Sequence, residues 1–252
     1  MEKKYKILIV ISSILIITIL VGAVLLKKDS FVLVLSNETV LEYDEKKDRF
    51  IPRLVQNLNA DNIYSIRLED GTEAKSKLFH KDIWQYEKNG DIIDIDNLFF
   101  AANENKKHSV IPFKIEELSD EDILEVDEII GKNGVLNRGE FGYTQKVIID
   151  LDNDGIKEEI ISASNVFSSS KRDKDFSLVY IRKQGHNYIL LDKVEAVDDF
   201  KNTCVSYISG IIDLNNDKNY EVVVGCNYFD QMGVKYLISR LSQNSVKNIK
   251  EF

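Results

Sequence analysis

A run of acidic residues spaced two apart offers the most specific chemistry in this sequence. Residues 147–165 read VIIDLDNDGIKEEIISASN, with carboxylates at loop positions 1, 3, 5 and 9. A hard cation such as calcium takes about six to eight oxygen ligands, which converge when the backbone turns sharply around them. Glycine at position 6 permits the positive φ of that turn. The predicted calcium ligands are Asp150, Asp152, Asp154, Glu158 and the carbonyl of Ile156; a metal-free acidic turn is the alternative.

The same pattern recurs 63 residues later with two changes. Residues 210–228 read GIIDLNNDKNYEVVVGCNY, in which Asn215 replaces an aspartate and Lys218 replaces the glycine. One carboxylate is lost and a cation enters the loop. We therefore expect a weak or empty second site, with a turn held by side-chain to backbone hydrogen bonds. The candidate ligands of this degenerate site are Asp213, Asn215, Asp217 and Glu221.

Strands must position both loops, because apolar β-branched residues flank each of them. An EF-hand is excluded, since that motif needs flanking helices and a glutamate at position 12, where this chain has Ile161. Each copy continues with two further predicted strands, which are 177–183 and 187–194 in the first copy and 235–241 and 245–252 in the second. The two repeats therefore cover about 143–200 and 204–252, within a unit of residues 135–252.

The segment DLDNDGIKEEII resembles the acidic loop of FG-GAP and VCBS-type repeats, which also occur in the propeller domain of integrin α subunits. In that family a D-x-D-x-D-G-x-x-D/E loop joins two adjacent antiparallel strands and binds calcium. The resemblance covers residues 143–252 at most, and it implies that the four carboxylates of the first loop are ligands. Two copies cannot close a propeller ring. We therefore expect two blade-like repeats in a partial propeller, or a β-sandwich completed by strands of the N-terminal half.

The N-terminus predicts a membrane anchor. Residues 7–26 (ILIVISSILIITILVGAVLL) carry no charge, and a helix of this length crosses a hydrocarbon core of about 30 Å. A cleaved signal peptide is the alternative, because Val21-Gly22-Ala23 offers a cleavage site. The apolar run continues to Leu26, which favours an uncleaved anchor within residues 1–28.

Charge predicts the orientation of that anchor. Three lysines precede the span and two follow it, so the positive-inside bias is weak. The first 28 residues carry +4 from five Lys and one Glu, and subtracting this from the net −9 leaves −13 for the remainder. An anionic inner leaflet repels such a domain, and a nucleic acid does not attract it. We expect a single-pass cell-membrane protein with a cytoplasmic N-terminus and its C-terminal domain outside.

The remaining segments predict a mainly β fold with one or two short helices behind the transmembrane helix. Short β-branched and aromatic runs predict a β-rich N-terminal ectodomain over 29–118. Within it, residues 50–58 predict a short helix that begins at Pro52. Residues 119–134 predict a second helix and a linker, with Ser119 as N-cap and a solvated acidic face.

Other chemistry finds little support, and no catalytic residue is predicted. His80, His108 and His186 share no metal-ligand spacing, and neither a nucleophile elbow nor a phosphate loop is present. Cys204 and Cys226 flank the second loop. The sequence is compatible either with a disulfide between them or with two free thiols.

These observations favour a non-enzymatic, calcium-stabilised ectodomain that binds an unidentified extracytoplasmic protein or glycan and is held at the membrane by residues 7–26. The alternative is a membrane-tethered hydrolase that acts on cell-envelope polymers, because the abundant acids also allow a carboxylate pair.

Overall fold

The computed structural model of this chain describes most of the residues after the predicted anchor. These residues are 31–35, 39–54, 58, 62–68, 73–80, 83–95, 98–103, 107–166, 168–197, 204–228, 233–242 and 245–251. The predicted anchor at 7–26 lies outside them. Among the helices of the described residues, none is both long enough and apolar enough to cross a membrane.

The described chain is mainly β with one α-helix, and its strands form three antiparallel sheets. The first, here called the N-terminal sheet, has eight strands in the spatial order β3-β2-β1-β8-β4-β5-β6-β7. Its strands are β1 (Val32–Leu35), β2 (Thr39–Asp44), β3 (Arg49–Arg53), β4 (Ile63–Leu68), β5 (Glu73–His80), β6 (Trp84–Lys88), β7 (Asp91–Ile95) and β8 (Leu98–Asn103).

Each of the two sequence repeats forms a four-stranded meander. The first-repeat sheet consists of β10 (Tyr143–Ile149), β11 (Glu158–Ser164), β12 (Lys174–Lys183) and β13 (His186–Ala196). The second-repeat sheet consists of β14 (Val205–Asp213), β15 (Glu221–Tyr228), β16 (Gly233–Ser242) and β17 (Ser245–Glu251), with β9 (Ser109–Val110) paired to the outer edge of β14. In both copies the acidic loop joins the first two strands, as the sequence pattern predicts.

The three sheets stack face to face, with the second-repeat sheet in the middle. On one of its faces, Val223 and Tyr236 pack with Leu33 of the N-terminal sheet. On the other face, Val224 packs in one cluster with Val179 of the first-repeat sheet. Side chains alternate across a strand, so the neighbours Val223 and Val224 bury apolar surface on opposite faces. This middle position fixes the second acidic loop between two layers.

The helix α1 (Asp120–Lys132) covers the outer face of the first-repeat sheet through Val126 and Ile130. Ser119 caps it in a capping box with Asp122, which confirms the predicted helix start. The predicted solvated acidic face is wrong at Asp122, whose side chain is fully buried. Lys146 and Arg182 of the sheet reach this carboxylate at 2.9 and 2.6 Å, because a buried charge needs ionic partners.

The predicted helix over residues 50–58 is wrong where the structure describes it, since residues 49–53 form the edge strand β3. Phe50 is buried and lies opposite Tyr43 in the ladder with β2, whereas the side chain of Ile51 points the other way and is exposed. Pro52 fits this edge because a strand at the end of a sheet needs no further backbone donor there. Burial of Phe50 therefore decides the conformation over the local helix signal.

Candidate functional site

The two acidic loops lie side by side at one end of the stacked repeat sheets. The first loop joins β10 to β11 and the second joins β14 to β15. The backbone N–H of Tyr220, in the second loop, donates to the carbonyl of Leu151, in the first loop, at 2.7 Å. The loops therefore support one another directly.

Three hydrogen bonds define the shape of the first loop. The carboxylate of Asp150 accepts the N–H of Gly155 at 3.0 Å, and that of Glu158 accepts the N–H of Leu151 at 2.6 Å. Asp154 accepts the N–H of the residue two positions later at 2.8 Å. The glycine has φ +88°, which confirms the need for a residue that tolerates the left-handed region.

The second loop repeats these three hydrogen bonds at equivalent positions. Asp213 accepts the N–H of Lys218 at 3.2 Å, and Glu221 accepts the N–H of Leu214 at 3.0 Å. Asp217 again accepts the N–H two residues later, at 2.8 Å. Lys218 has φ +67° where the first loop has glycine. Both loops therefore obtain their shape from side-chain to backbone hydrogen bonds, which need no metal.

The first loop brings three of its predicted ligands together. Oxygen atoms of Asp150, Asp152 and Glu158 all lie within 4.8 Å of one another, and in the described part of the chain this is the one such group of acidic, histidine or cysteine side chains. The all-oxygen donor set suits a hard cation such as calcium. Ile156, the predicted carbonyl ligand, lies in the same loop with its side chain exposed.

A lysine from the neighbouring strand contacts two carboxylates of this group, those of Asp152 and Glu158, and also that of Asp154. The Nζ of Lys183, at the end of β12, lies 2.6 Å from Asp152, 2.7 Å from Asp154 and 3.0 Å from Glu158. Its side chain is only 8% exposed. Burial alone lowers the pKa of Lys183, but its hydrogen bonds to the three carboxylates outweigh burial and raise that pKa above its ordinary value. The lysine is therefore charged and supplies one positive charge to the loop.

The charge of the first loop remains unbalanced. Four carboxylates at the ligand positions face one ammonium, which leaves a formal charge of −3. Burial raises the pKa of Glu158, against the opposite effects of the Leu151 N–H and Lys183. One oxygen of Asp152 is buried without a hydrogen-bond partner. The carboxylates at the ligand positions therefore outnumber the cations that contact them.

The second loop does not gather its predicted ligands around one point. The amide nitrogen of Asn215 donates to Asp217 at 2.8 Å, so this side chain acts as a donor within the loop. Glu221 is fully buried, and its carboxylate contacts the guanidinium of Arg240 on β16. Burial raises the pKa of Glu221 to about 7, although Arg240 opposes that effect.

Lys183 and Arg240 occupy equivalent places in the two repeats. The ladder pairs Glu159 with Arg182, so the next residue along β12, Lys183, lies across from the loop-closing Glu158. In the second repeat, Glu221 pairs directly with Arg240. Neither cation is evident from the sequence, because a letter-by-letter match of the repeats aligns Arg182 with Arg240 and hides the strand register. In each repeat, the third strand places a basic residue opposite the glutamate that closes the loop. This position is the signal that identifies Lys183 and Arg240.

A disulfide distinguishes the second hairpin from the first. Cys204 and Cys226 are bonded, with their Cα atoms 5.4 Å apart, which decides between the two alternatives left open by the sequence. Cys204 directly precedes β14 and Cys226 lies in β15. The bond therefore closes the far end of the hairpin whose near end is the second acidic loop.

A polar cleft of about 550 Å³ lies between the second loop and the N-terminal sheet. The titratable side chains that line it are Tyr43, Glu45, Asp48, Lys107, His108 and Arg240. His108, isolated in sequence, is buried here; its Nδ1 donates to the carbonyl of Leu214, and its Nε2 lies 3.3 Å from Glu45. Tyr43 donates to Asp48 at 2.6 Å. The sequence does not predict this cleft, because its lining comes from segments distant in the chain.

Comparisons with protein-family models, with curated proteins and with solved structures find no match to this chain. The resemblance to FG-GAP and VCBS-type repeats therefore rests on the motif residues of the loops.

Proposed function

We propose that this chain is a single-pass, membrane-anchored extracytoplasmic protein whose β-rich ectodomain binds a partner without catalysing a reaction. In this proposal the two meanders are blade-like repeats, and their stack with the N-terminal sheet is a partial propeller. The partner is a protein or a glycan outside the cell, and the first acidic loop is a calcium-responsive staple of the ectodomain.

The first loop carries the calcium part of the proposal. Asp150, Asp152 and Glu158 converge to within 4.8 Å of one another, while Lys183 leaves a formal charge of −3. We propose that calcium and the Lys183 ammonium compete for these carboxylates. When bound, calcium supplies two positive charges and holds the carboxylates in the folded geometry. Competition by the lysine places the dissociation constant near the weak end of extracellular sites, about 1 mM.

Location outside the cytoplasm is supported by two independent features. The Cys204–Cys226 disulfide persists in oxidising compartments and is rare in the cytosol. The uncharged residues 7–26 precede a region of charge −13, which an anionic inner leaflet repels. Extracellular calcium is also high enough to fill a weak site.

Two measurements on the full-length chain test this proposal. A reporter fused after Phe252 is expected to be active outside the cytoplasm, with the protein in the membrane fraction. At roughly 2 mM calcium, a site of about 1 mM affinity stabilises the fold by about 0.6 kcal/mol, so the melting temperature is expected to rise by about 1–3 °C over chelator. Asp152→Ala, which removes one carboxylate of the converging group, is expected to abolish this rise. A cytoplasmic reporter contradicts the location, and identical wild-type melting in calcium and chelator contradicts the staple.

The polar cleft supports a second candidate, a membrane-tethered hydrolase of cell-envelope polymers. Its carboxylates Glu45 and Asp48 lie in one concave site with Tyr43 and His108, as acid–base catalysis requires. Each of these carboxylates is already engaged, Glu45 by Lys107 and Asp48 by Lys247, so binding is the preferred function. Release of label from dye-labelled peptidoglycan, abolished by Glu45→Gln or Asp48→Asn, would favour the hydrolase; inactivity of the wild type removes it.

A further inference from the structure

The strand β7 ends the N-terminal sheet with an open edge. It pairs with β6 on one side, and no described strand pairs with its other side. Its residues Asp91 to Asp94 are all exposed. Ile92 is 52% exposed and Ile93 is 38% exposed, and successive side chains point to opposite faces. The strand therefore offers backbone hydrogen-bonding groups together with an isoleucine on each face.

The opposite edge of the same sheet differs in its protection. There β3 carries Arg49, Pro52 and Arg53, and Arg53 pairs with Glu42 of β2. Proline and charged side chains are common devices that keep an edge strand from pairing with another chain. The strand β7 has no proline, and its exposed charges are the two carboxylates of Asp91 and Asp94. These charges oppose pairing with an acidic strand but favour pairing with a basic one.

We propose that β7 is the docking strand for an extended segment of a partner protein, which adds antiparallel to the sheet. Residues directly opposite each other in an antiparallel pair share a face and interact. The incoming strand would place apolar side chains opposite Ile92 and Ile93, and basic side chains opposite Asp91 and Asp94. The favoured partner segment thus reads basic, apolar, apolar, basic, and main-chain hydrogen bonds supply the remaining affinity.

Charge argues for this partner over a second copy of the chain. Residues 29–252 carry −13, so pairing two copies edge to edge brings two strongly acidic domains together. A basic segment instead meets complementary charge. This inference rests on the proposed binding function and gives it a surface and a partner class, a protein segment and not a glycan.

The test uses the purified full-length chain and two fluorescently labelled peptides, Thr-Lys-Val-Val-Lys-Thr and Thr-Glu-Val-Val-Glu-Thr. By fluorescence anisotropy, the lysine peptide is expected to bind roughly tenfold more tightly, because two cross-strand pairs change from repulsive to attractive. Hydrogen exchange is expected to slow at the amides of β7 when this peptide binds. The matched double variant Asp91→Lys/Asp94→Lys, at two exposed positions, is expected to reverse the preference between the peptides.

Failure of this inference is separable from failure of the proposed function. No binding of either peptide, equal binding of both, or protection outside β7 overturns the docking strand. A wild-type dimer whose formation slows hydrogen exchange at the amides of β7, in place of peptide binding, also overturns it, in favour of self-pairing. None of these results alters the reporter or calcium measurements, which test the anchor and the first loop.

Discussion

The two acidic loops have the same backbone shape, but different cations balance the negative charge of their carboxylates. In the first loop four carboxylates face Lys183, which leaves a formal charge of −3; in the second, three carboxylates face Arg240, which leaves −2. Each loop also contains one lysine of its own, Lys157 in the first and Lys218 in the second. Three of the hydrogen bonds that shape each loop have an equivalent in the other loop. Loop geometry is therefore set by aspartate-to-backbone bonds, whereas demand for an added cation is set by charge balance. The sequence motif therefore predicts the geometry of the loop, but it does not predict whether a cation is needed to balance the charge of the loop.

The hairpins that carry the loops also differ in the bonds that stabilise them. The second hairpin is closed covalently by Cys204–Cys226, and the described first hairpin contains no cysteine. The second loop accepts Lys218 at φ +67°, a conformation that costs a non-glycine residue about 1–2 kcal/mol. A covalent staple offsets such local strain, while the first loop uses Gly155 and ionic contacts.

Removal of the disulfide is expected to give the largest change. Cys204→Ser/Cys226→Ser should lower the free energy of unfolding by about 3 kcal/mol, because the bond spans 22 residues and restricts the unfolded chain. Denaturant unfolding measures this difference. As a control, reductant should destabilise the wild type by a similar amount and leave the double variant unchanged. A double variant as stable as the oxidised wild type contradicts the covalent staple.

A pH dependence should separate the second loop from the first. In the folded state burial raises the pKa of Glu221 to about 7, whereas the ordinary pKa of a glutamate is 4.5. The folded state binds more protons in this window, so its free energy of unfolding falls as the pH rises from about 5 to 8. Wild type should lose about 1–3 kcal/mol more than Glu221→Gln over this range. Parallel pH profiles of the two proteins would show that Glu221 is ionised throughout.

Exchange of the position-6 residues is expected to give a smaller effect of opposite sign in the two loops. Lys218→Gly should raise the free energy of unfolding by about 0.5–1 kcal/mol, since glycine adopts the left-handed region without steric cost. The matched variant Gly155→Lys, at φ +88°, should lower it by a similar amount. Thermal unfolding of both variants measures the pair. Equal signs for the two variants would contradict equivalent backbone shapes.

Sequence patterns predicted the strands and the conformation of the loops because both are local. Alternating apolar residues flank the loops, and Gly155 and the aspartates determine the turn between them. The helix N-cap at Ser119 followed from a capping box of four residues. At Phe50 a local helix signal failed, since contact with the sheet overrode it.

The charge partners of the site could not be predicted in the same way. Lys183 reaches Glu158 only through the register of β11 with β12, and a one-residue shift in matching the repeats conceals it. Asp122 was predicted on a solvated face, but Lys146 and Arg182 from the sheet bury it. His108 joins its cleft by contacts with Leu214, far along the chain. Each of these depends on which strands become neighbours.

Calcium titration of the Lys183→Met variant by isothermal calorimetry tests the central claim most directly. If calcium and the lysine ammonium compete for the first loop, this variant of the full-length chain should bind one calcium about tenfold more tightly than wild type, because it removes the resident positive charge. The matched variant Lys218→Met should leave the affinity unchanged. Absence of binding heat for Lys183→Met at millimolar calcium would contradict the claim and identify Lys183 as a permanent partner of a metal-free loop.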